Sequence, residues 1–134
     1  FKFFFFKKHD IIFTDAAKTG VNDDPDIDLS KATFLKHAFM PHPKRDGFYL
    51  AQLDQVSVTE CANWIRKSKD PIQATVDNCI QGSMLAYGHG PQFYDEYNRV
   101  VREALFKAHG VEFQVRTWDQ LDHLFLMENY YFDW

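Results

Sequence analysis

Between Pro91 and Gly110 the apolar positions recur at helical spacing. Phe93, Tyr97, Val100, Val101, Ala104, Leu105 and Ala108 share one face, and Asp95, Arg99, Glu103 and Lys107 lie between them. Asp95 to Arg99 and Glu103 to Lys107 each place an acid four residues before a base, the favourable orientation. Gly90-Pro91 marks the start, and Gly110 suits the left-handed residue that closes a helix. The pattern then changes period: Val111, Phe113 and Val115 alternate with Glu112, Gln114 and Arg116, which predicts a strand with one wet face. Thr117 and Gln120 have capping-box spacing, so a further helix through Leu121, Leu124 and Phe125 is expected.

Two earlier helices are predicted in the same way. Ser57 and Glu60 form a candidate capping box ahead of Val58, Cys61, Ala62, Trp64 and Ile65. Asp70, Pro71 and Gln73 repeat the device ahead of Ile72, Val76, Cys79, Ile80, Met84 and Tyr87. Together they read as a helical hairpin. Phe48 to Leu53 is apolar on both faces, which suits a central strand. Asp28 or Ser30 caps an expected short helix through Met40, with a strand as its close competitor, and Pro41 to Gly47 ends either one. Phe3–Phe6 and Ile11–Thr14 read as a β-hairpin, and Asp15 to Ser30 as a loop rich in turn formers. The expectation is a single α+β domain over residues 1–134, with a mixed or antiparallel sheet of about four strands packed by four to five helices.

Composition sharpens this picture in two respects. The apolar fraction of 46% is enough to fill one core. The 14 phenylalanines, within 17% aromatic residues, exceed ordinary usage and supply candidate interface anchors. A formal charge of -4 disfavours nucleic acid as the primary partner unless a local basic patch overrides it. Cys61 and Cys79 are too few for a disulfide scaffold and both fall on predicted apolar faces. They read as free thiols of a cytoplasmic protein. The opening apolar run is too short for a membrane span.

Candidate chemistry is sparse. The acids Asp23, Asp24, Asp26 and Asp28 alternate as cation ligands do. An EF-hand loop counted from Asp24 fails, however, with Leu29 at the glycine position and Leu35 at the glutamate position. His37 and His42 are separated by Pro41, which denies them a shared helix face. His89 lies in Tyr87-Gly88-His89-Gly90-Pro91, where flanking glycines permit close approach of a ligand. No nucleophile elbow, phosphate loop or dinucleotide fingerprint is present.

The expected function is therefore a non-catalytic protein-binding module, an inhibitor, immunity or regulatory protein of phage or bacterial accessory type. It would grip a partner with a basic surface through Tyr130, Tyr131, Phe132, Trp134 and the acids Asp23, Asp24, Asp26 and Asp28. No cofactor, catalytic residue or membrane is called for, and the strand Phe3–Phe6 offers a route to a homodimer. The alternative is a small metal-dependent hydrolase or nuclease using Asp24, Asp26, His37, His42 or His89.

Overall fold

A computed structural model describes residues 31–127 of the chain. The expected hairpin at Phe3–Phe6 and Ile11–Thr14, the acids Asp23 to Asp28 and the terminal aromatics Tyr130 to Trp134 lie outside the described residues. Strands β1 (Thr33–Phe34), β2 (His37–Pro41) and β3 (Tyr49–Leu53) form an antiparallel meander in the order β1-β2-β3. Helices α1 (Gln55–Glu60), α2 (Pro71–Ala86), α3 (Pro91–His109) and α4 (Trp118–Leu126) follow, with a 3-10 turn at Tyr87–His89 joining α2 to α3.

The mixed α/β character and the antiparallel sheet agree with expectation, but among the described residues the sheet has three strands instead of about four. Two segments depart from the expected assignment. The segment expected as a helix through Met40 is the β1-β2 hairpin, in register Thr33↔Ala38 and Phe34↔His37, with β2 pairing to β3 from His37↔Leu53 to Pro41↔Tyr49. Its Thr, Phe and His residues favour a pleated surface, and this outweighs the weak cap at its start. The stretch Val111–Val115 does alternate, with Phe113 buried and Glu112 and Gln114 exposed, yet among the described residues it pairs with no strand. Side-chain periodicity reports which face is covered and says nothing of a backbone neighbour.

Helix α1 starts one turn earlier than expected. Asp54 caps it, accepting the Ser57 amide at 2.9 Å and the Ser57 hydroxyl at 2.6 Å, so Ser57 is bound by the cap instead of forming it. The helix ends at Glu60, which leaves Trp64 and Ile65 exposed instead of inward-facing. Asp70 caps α2 with Pro71 at its first position, as expected, although the Gln73 amide turns forward to Asp77 at 2.8 Å. Thr117 and Gln120 form the full capping box of α4. On α3 the ion pairs are Arg99 with Glu96 and Arg99 with Glu103, in place of the pairs to Asp95 and Lys107.

The core lies between α2, α3, α4 and the underside of β3. Val58, Cys79, Ala86, Tyr87, Tyr94, Tyr97, Val101, Leu105, Phe113, Trp118 and Leu121 are its buried apolar members. The buried face of α3 is turned from the expected one: Tyr94 and Asn98 are covered while Val100 is half exposed. Small residues on α2 explain the rotation. Gly82 and Ser83 let α3 approach so closely that a Cβ on Gly82 would meet the Tyr97 hydroxyl at 1.9 Å. The Ser83 hydroxyl donates to Asn98 Oδ1, and Asn98 in turn donates to the Tyr94 carbonyl at 2.9 Å, which satisfies this polar pair inside the core. Cys79 is buried beside them and Cys61 is partly covered, both as free thiols.

Candidate functional site

The turn Tyr87–Gly90 is the hinge point between sheet and helices, and four contacts fix it there. His89 Nε2 donates to the Leu53 carbonyl at 2.6 Å. Gly88 lies so near β3 that a Cβ would meet the Ala51 carbonyl oxygen at 2.3 Å. The Trp118 indole donates to the Tyr87 carbonyl at 3.0 Å, and the Tyr87 hydroxyl donates to Asp122 Oδ1 at 2.7 Å. The glycine beside His89 is thus required by backbone approach, as the sequence suggested. What approaches is β3 rather than a ligand.

Asp122 is the centre of a buried polar node. It projects from the apolar face of α4, between Trp118 and Phe125, and is 5% exposed. His42 Nε2 donates to its Oδ1 at 2.6 Å, the same oxygen that Tyr87 reaches, and the Arg45 guanidinium stands 3.8 Å from Oδ2. The Lys44 backbone N–H donates to His42 Nδ1 at 3.1 Å, so Nδ1 carries the lone pair and Nε2 the hydrogen. Rings close the node: Tyr87 stacks on Trp118 at 5.2 Å and on Phe125 at 4.6 Å. Burial alone would raise the Asp122 carboxyl above its usual range. The Tyr87 and His42 hydrogen bonds and the charge of Arg45 outweigh it, and the net direction is downward.

This His–Asp pair resembles half of a hydrolytic triad, but its remaining contacts give it another role. The imidazole nitrogen that a general base would use is already taken by the Lys44 amide. The pair instead fastens the loop between β2 and β3, which the His42 amide also closes by donating to the Phe48 carbonyl at 2.8 Å. That loop presents Lys44 beside the Trp118 ring, with Nζ 5.5 Å from the centroid and paired to Asp119, and holds Arg45 half exposed.

At the other end of β2 the β1-β2 turn has only two residues, Leu35 and Lys36, both at positive φ, 50° and 63°. This is the conformation that two-residue hairpins require and that Asn-Gly ordinarily supplies. Held by leucine and lysine it is strained. His37 Nδ1 donates to the Leu35 carbonyl at 2.9 Å, and the Asp54 amide donates to the Lys36 carbonyl at 3.1 Å, clamping the turn from both sides. Phe34 and Leu35 are 67% and 74% exposed at this tip, and Lys36 projects beside them.

The histidines named from sequence are not brought together as ligands. His37 and His42 line one apolar pocket of about 510 Å³ with Tyr49, Leu53 and Phe125, while His89 faces a groove with Met40, Pro41 and Pro91. Among the described residues no group of three or more His, Cys, Asp or Glu side chains is placed to hold a metal ion. Asp122, Tyr87, Lys44 and Lys36 were missed as site residues. Asp122 had a visible signal, an acid sharing a helix face with Trp118 and Phe125. Lys36 had one too, two short strand-like runs separated by two residues. Among the described residues no helix is long and apolar enough to cross a membrane.

No family model matches the chain. It is 37% identical over 119 residues to a segment of the genome polyprotein of Deformed wing virus, which covers 88% of this chain and 4% of the polyprotein. It is 31% identical over 102 residues to the RNA1 polyprotein of Cherry rasp leaf virus, 76% of this chain and 4% of that one. It is 30% identical over 99 residues to the genome polyprotein of Rice tungro spherical virus (strain A), 73% of this chain and 3% of that one. The chain thus spans a few per cent of the length of the curated relatives it matches. In structure it is similar to the Sicinivirus 3Dpol RNA dependent RNA polymerase, with a TM-score of 0.64 and 20% identity over 83% of this chain and 22% of the polymerase chain. The fold is therefore that of part of this polymerase. These likenesses overturn the expectation of an inhibitor, immunity or regulatory module of phage or bacterial accessory type. The matched sequences are stretches of viral polyproteins and the matched structure is a polymerase.

Proposed function

We propose that this chain is one part of a viral RNA-dependent RNA polymerase, and that it supports and guides RNA without itself carrying the nucleotide-transfer chemistry. The observation that carries this reading is the shared fold with 22% of a polymerase chain, in a sequence whose relatives are stretches of viral polyproteins. The side chains support the division of labour. Nucleotide transfer by two metal ions needs converging carboxylates. Among the described residues Asp54 and Asp70 are spent on helix caps, Asp122 on His42 and Tyr87, and Glu96 and Glu103 on Arg99, and no group of three or more His, Cys, Asp or Glu is placed to hold a metal ion.

Within that reading the β1-β2 tip is the element aimed at RNA. A strained turn persists only where its surroundings hold it, and such turns concentrate at functional positions. Lys36 supplies a charge for a phosphate, Phe34 and Leu35 supply apolar surface for a base or ribose, and the Asp54 and His37 hydrogen bonds keep the tip in place. The test is templated RNA synthesis by the longer viral protein that contains this chain. Incorporation is expected, and Lys36→Ala should reduce it about tenfold, with Lys36→Arg retaining most of it. A folded, full-length protein that incorporates no nucleotide on any primed RNA template would sink the proposal.

A further inference from the structure

The connection between α1 and α2 carries a second RNA-like signature, on a different part of the chain from the hairpin tip. Trp64 is 74% exposed and Ile65 41%, and Arg66, Lys67 and Lys69 that follow are all exposed. Among the described residues none of these three cations forms an ion pair. The acids nearest in sequence are turned to other work: Glu60 accepts the Trp64 indole hydrogen and Asp70 caps α2.

An exposed tryptophan is unremarkable when it is loosely held, but this one is anchored twice. Its indole Nε1 donates to Glu60 Oε2 at 2.8 Å, and its carbonyl accepts the Asn78 side-chain amide from α2. Ring and backbone are fixed while most of the side chain stays in water. A held aromatic plane followed within a few residues by three unneutralised cations is how single-stranded nucleic acid is gripped: a base stacks on the ring and the cations track the phosphates. A lipid surface selects a different arrangement, an amphipathic helix with a basic face, and these residues lie in an interhelical connection. The overall charge of -4 does not oppose this, because a local patch governs contacts within a Debye length.

We propose that Trp64, Arg66, Lys67 and Lys69 form a single-stranded RNA-binding surface, with Trp64 as the stacking platform. The choice of RNA over DNA rests on the polymerase reading above, whereas the stacking and charge argument stands without it. The test is direct binding of the 134-residue chain to a fluorescein-labelled oligouridylate, to the matching oligothymidylate and to phosphatidylserine vesicles. RNA binding is expected, with log K falling against log salt at a slope of about −2 if three phosphates are neutralised. Trp64→Ala should weaken it about tenfold, Trp64→Phe should keep most of it, and charge reversal at Arg66, Lys67 and Lys69 should abolish it, all with unchanged melting temperature.

Undiminished RNA binding by Trp64→Ala, tighter binding to oligothymidylate, or capture by vesicles without RNA binding would each overturn the assignment. The two proposals fail separately. Binding through Trp64 in a longer protein that makes no RNA removes the polymerase reading alone. RNA synthesis by a protein whose RNA affinity ignores Trp64 removes this surface alone.

Discussion

His42 Nε2 lies 2.6 Å from Asp122 Oδ1, across 80 residues of chain, and the two side chains are 2% and 8% exposed. The contact ties the loop after β2 to the last described helix, and it shares its acceptor oxygen with the Tyr87 hydroxyl. Replacing Asp122 by alanine removes the acceptor shared by two buried donors at once. Removing one partner of a buried, hydrogen-bonded pair costs about 3 kcal/mol. Urea unfolding of Asp122→Ala should show a loss of that order. Lys44→Ala, which removes the exposed pair to Asp119 and the cation over the Trp118 ring, should change stability by about 1 kcal/mol at most. Equal losses for the two variants would mean that the buried node is not what holds the loop.

The same carboxylate sets a pH dependence. Burial raises the Asp122 carboxyl, but hydrogen bonds from Tyr87 and His42 and the nearby charge of Arg45 carry it below its ordinary value. A folded value below the unfolded one means that the unfolded chain binds more protons over that interval. The stabilisation is therefore complete above the ordinary aspartate range and disappears as pH falls through the depressed folded value. Asp54, lowered chiefly by its hydrogen bonds from Ser57, acts in the same sense. Stability measured from neutral pH downward should fall on the acid side, and Asp122→Asn should flatten part of that fall. An acid limb of identical slope in Asp122→Asn would show that other carboxylates govern it.

Two glycines should respond unequally to alanine. At Gly82 the added Cβ meets the Tyr97 hydroxyl at 1.9 Å, the end of a side chain that can shift. At Gly88 it meets the Ala51 carbonyl oxygen at 2.3 Å, which belongs to the backbone of β3. Gly88→Ala is expected to be the more damaging, at the upper end of the 1–3 kcal/mol or so that overpacking costs. Tyr97 provides a converse case. Its hydroxyl is buried without a hydrogen-bond partner among the described residues, and burial pushes its pKa up to about 12. Tyr97→Phe removes an unsatisfied polar atom and should raise stability by about 1 kcal/mol. A melting temperature that falls in Tyr97→Phe would show that this hydroxyl has a partner after all.

The parts of this fold that were legible in the sequence are those decided locally. The capping box Thr117–Gln120, the Asp70-Pro71 start of α2 and the Gly110 close of α3 each depend on a few neighbouring residues, and each formed as expected. What depended on distant partners was not legible. The buried face of α3 is set by Gly82 and Ser83 on another helix, and Val111–Val115 has strand periodicity without a strand beside it among the described residues. His42 was visible as a histidine between prolines, but nothing in its neighbourhood announced Asp122. The hairpin tip was hidden for a different reason. Leu35-Lys36 breaks the composition rule for its own turn.

That broken rule yields a test in which stability and activity move in opposite directions. Leu35 and Lys36 occupy φ of 50° and 63°, where Asn and Gly rest without strain. Replacing the pair by Asn-Gly should therefore stabilise the chain by about 1 kcal/mol, read as an increase in urea midpoint. The exchange also removes the exposed leucine and the lysine charge from the tip. If the tip contacts RNA, the stabilised variant of the longer protein should synthesise RNA about tenfold more slowly and bind it with a shallower salt dependence, having lost one phosphate contact. Greater stability with full synthesis would show the strained turn to be an accident of sequence and would take the hairpin out of the RNA path.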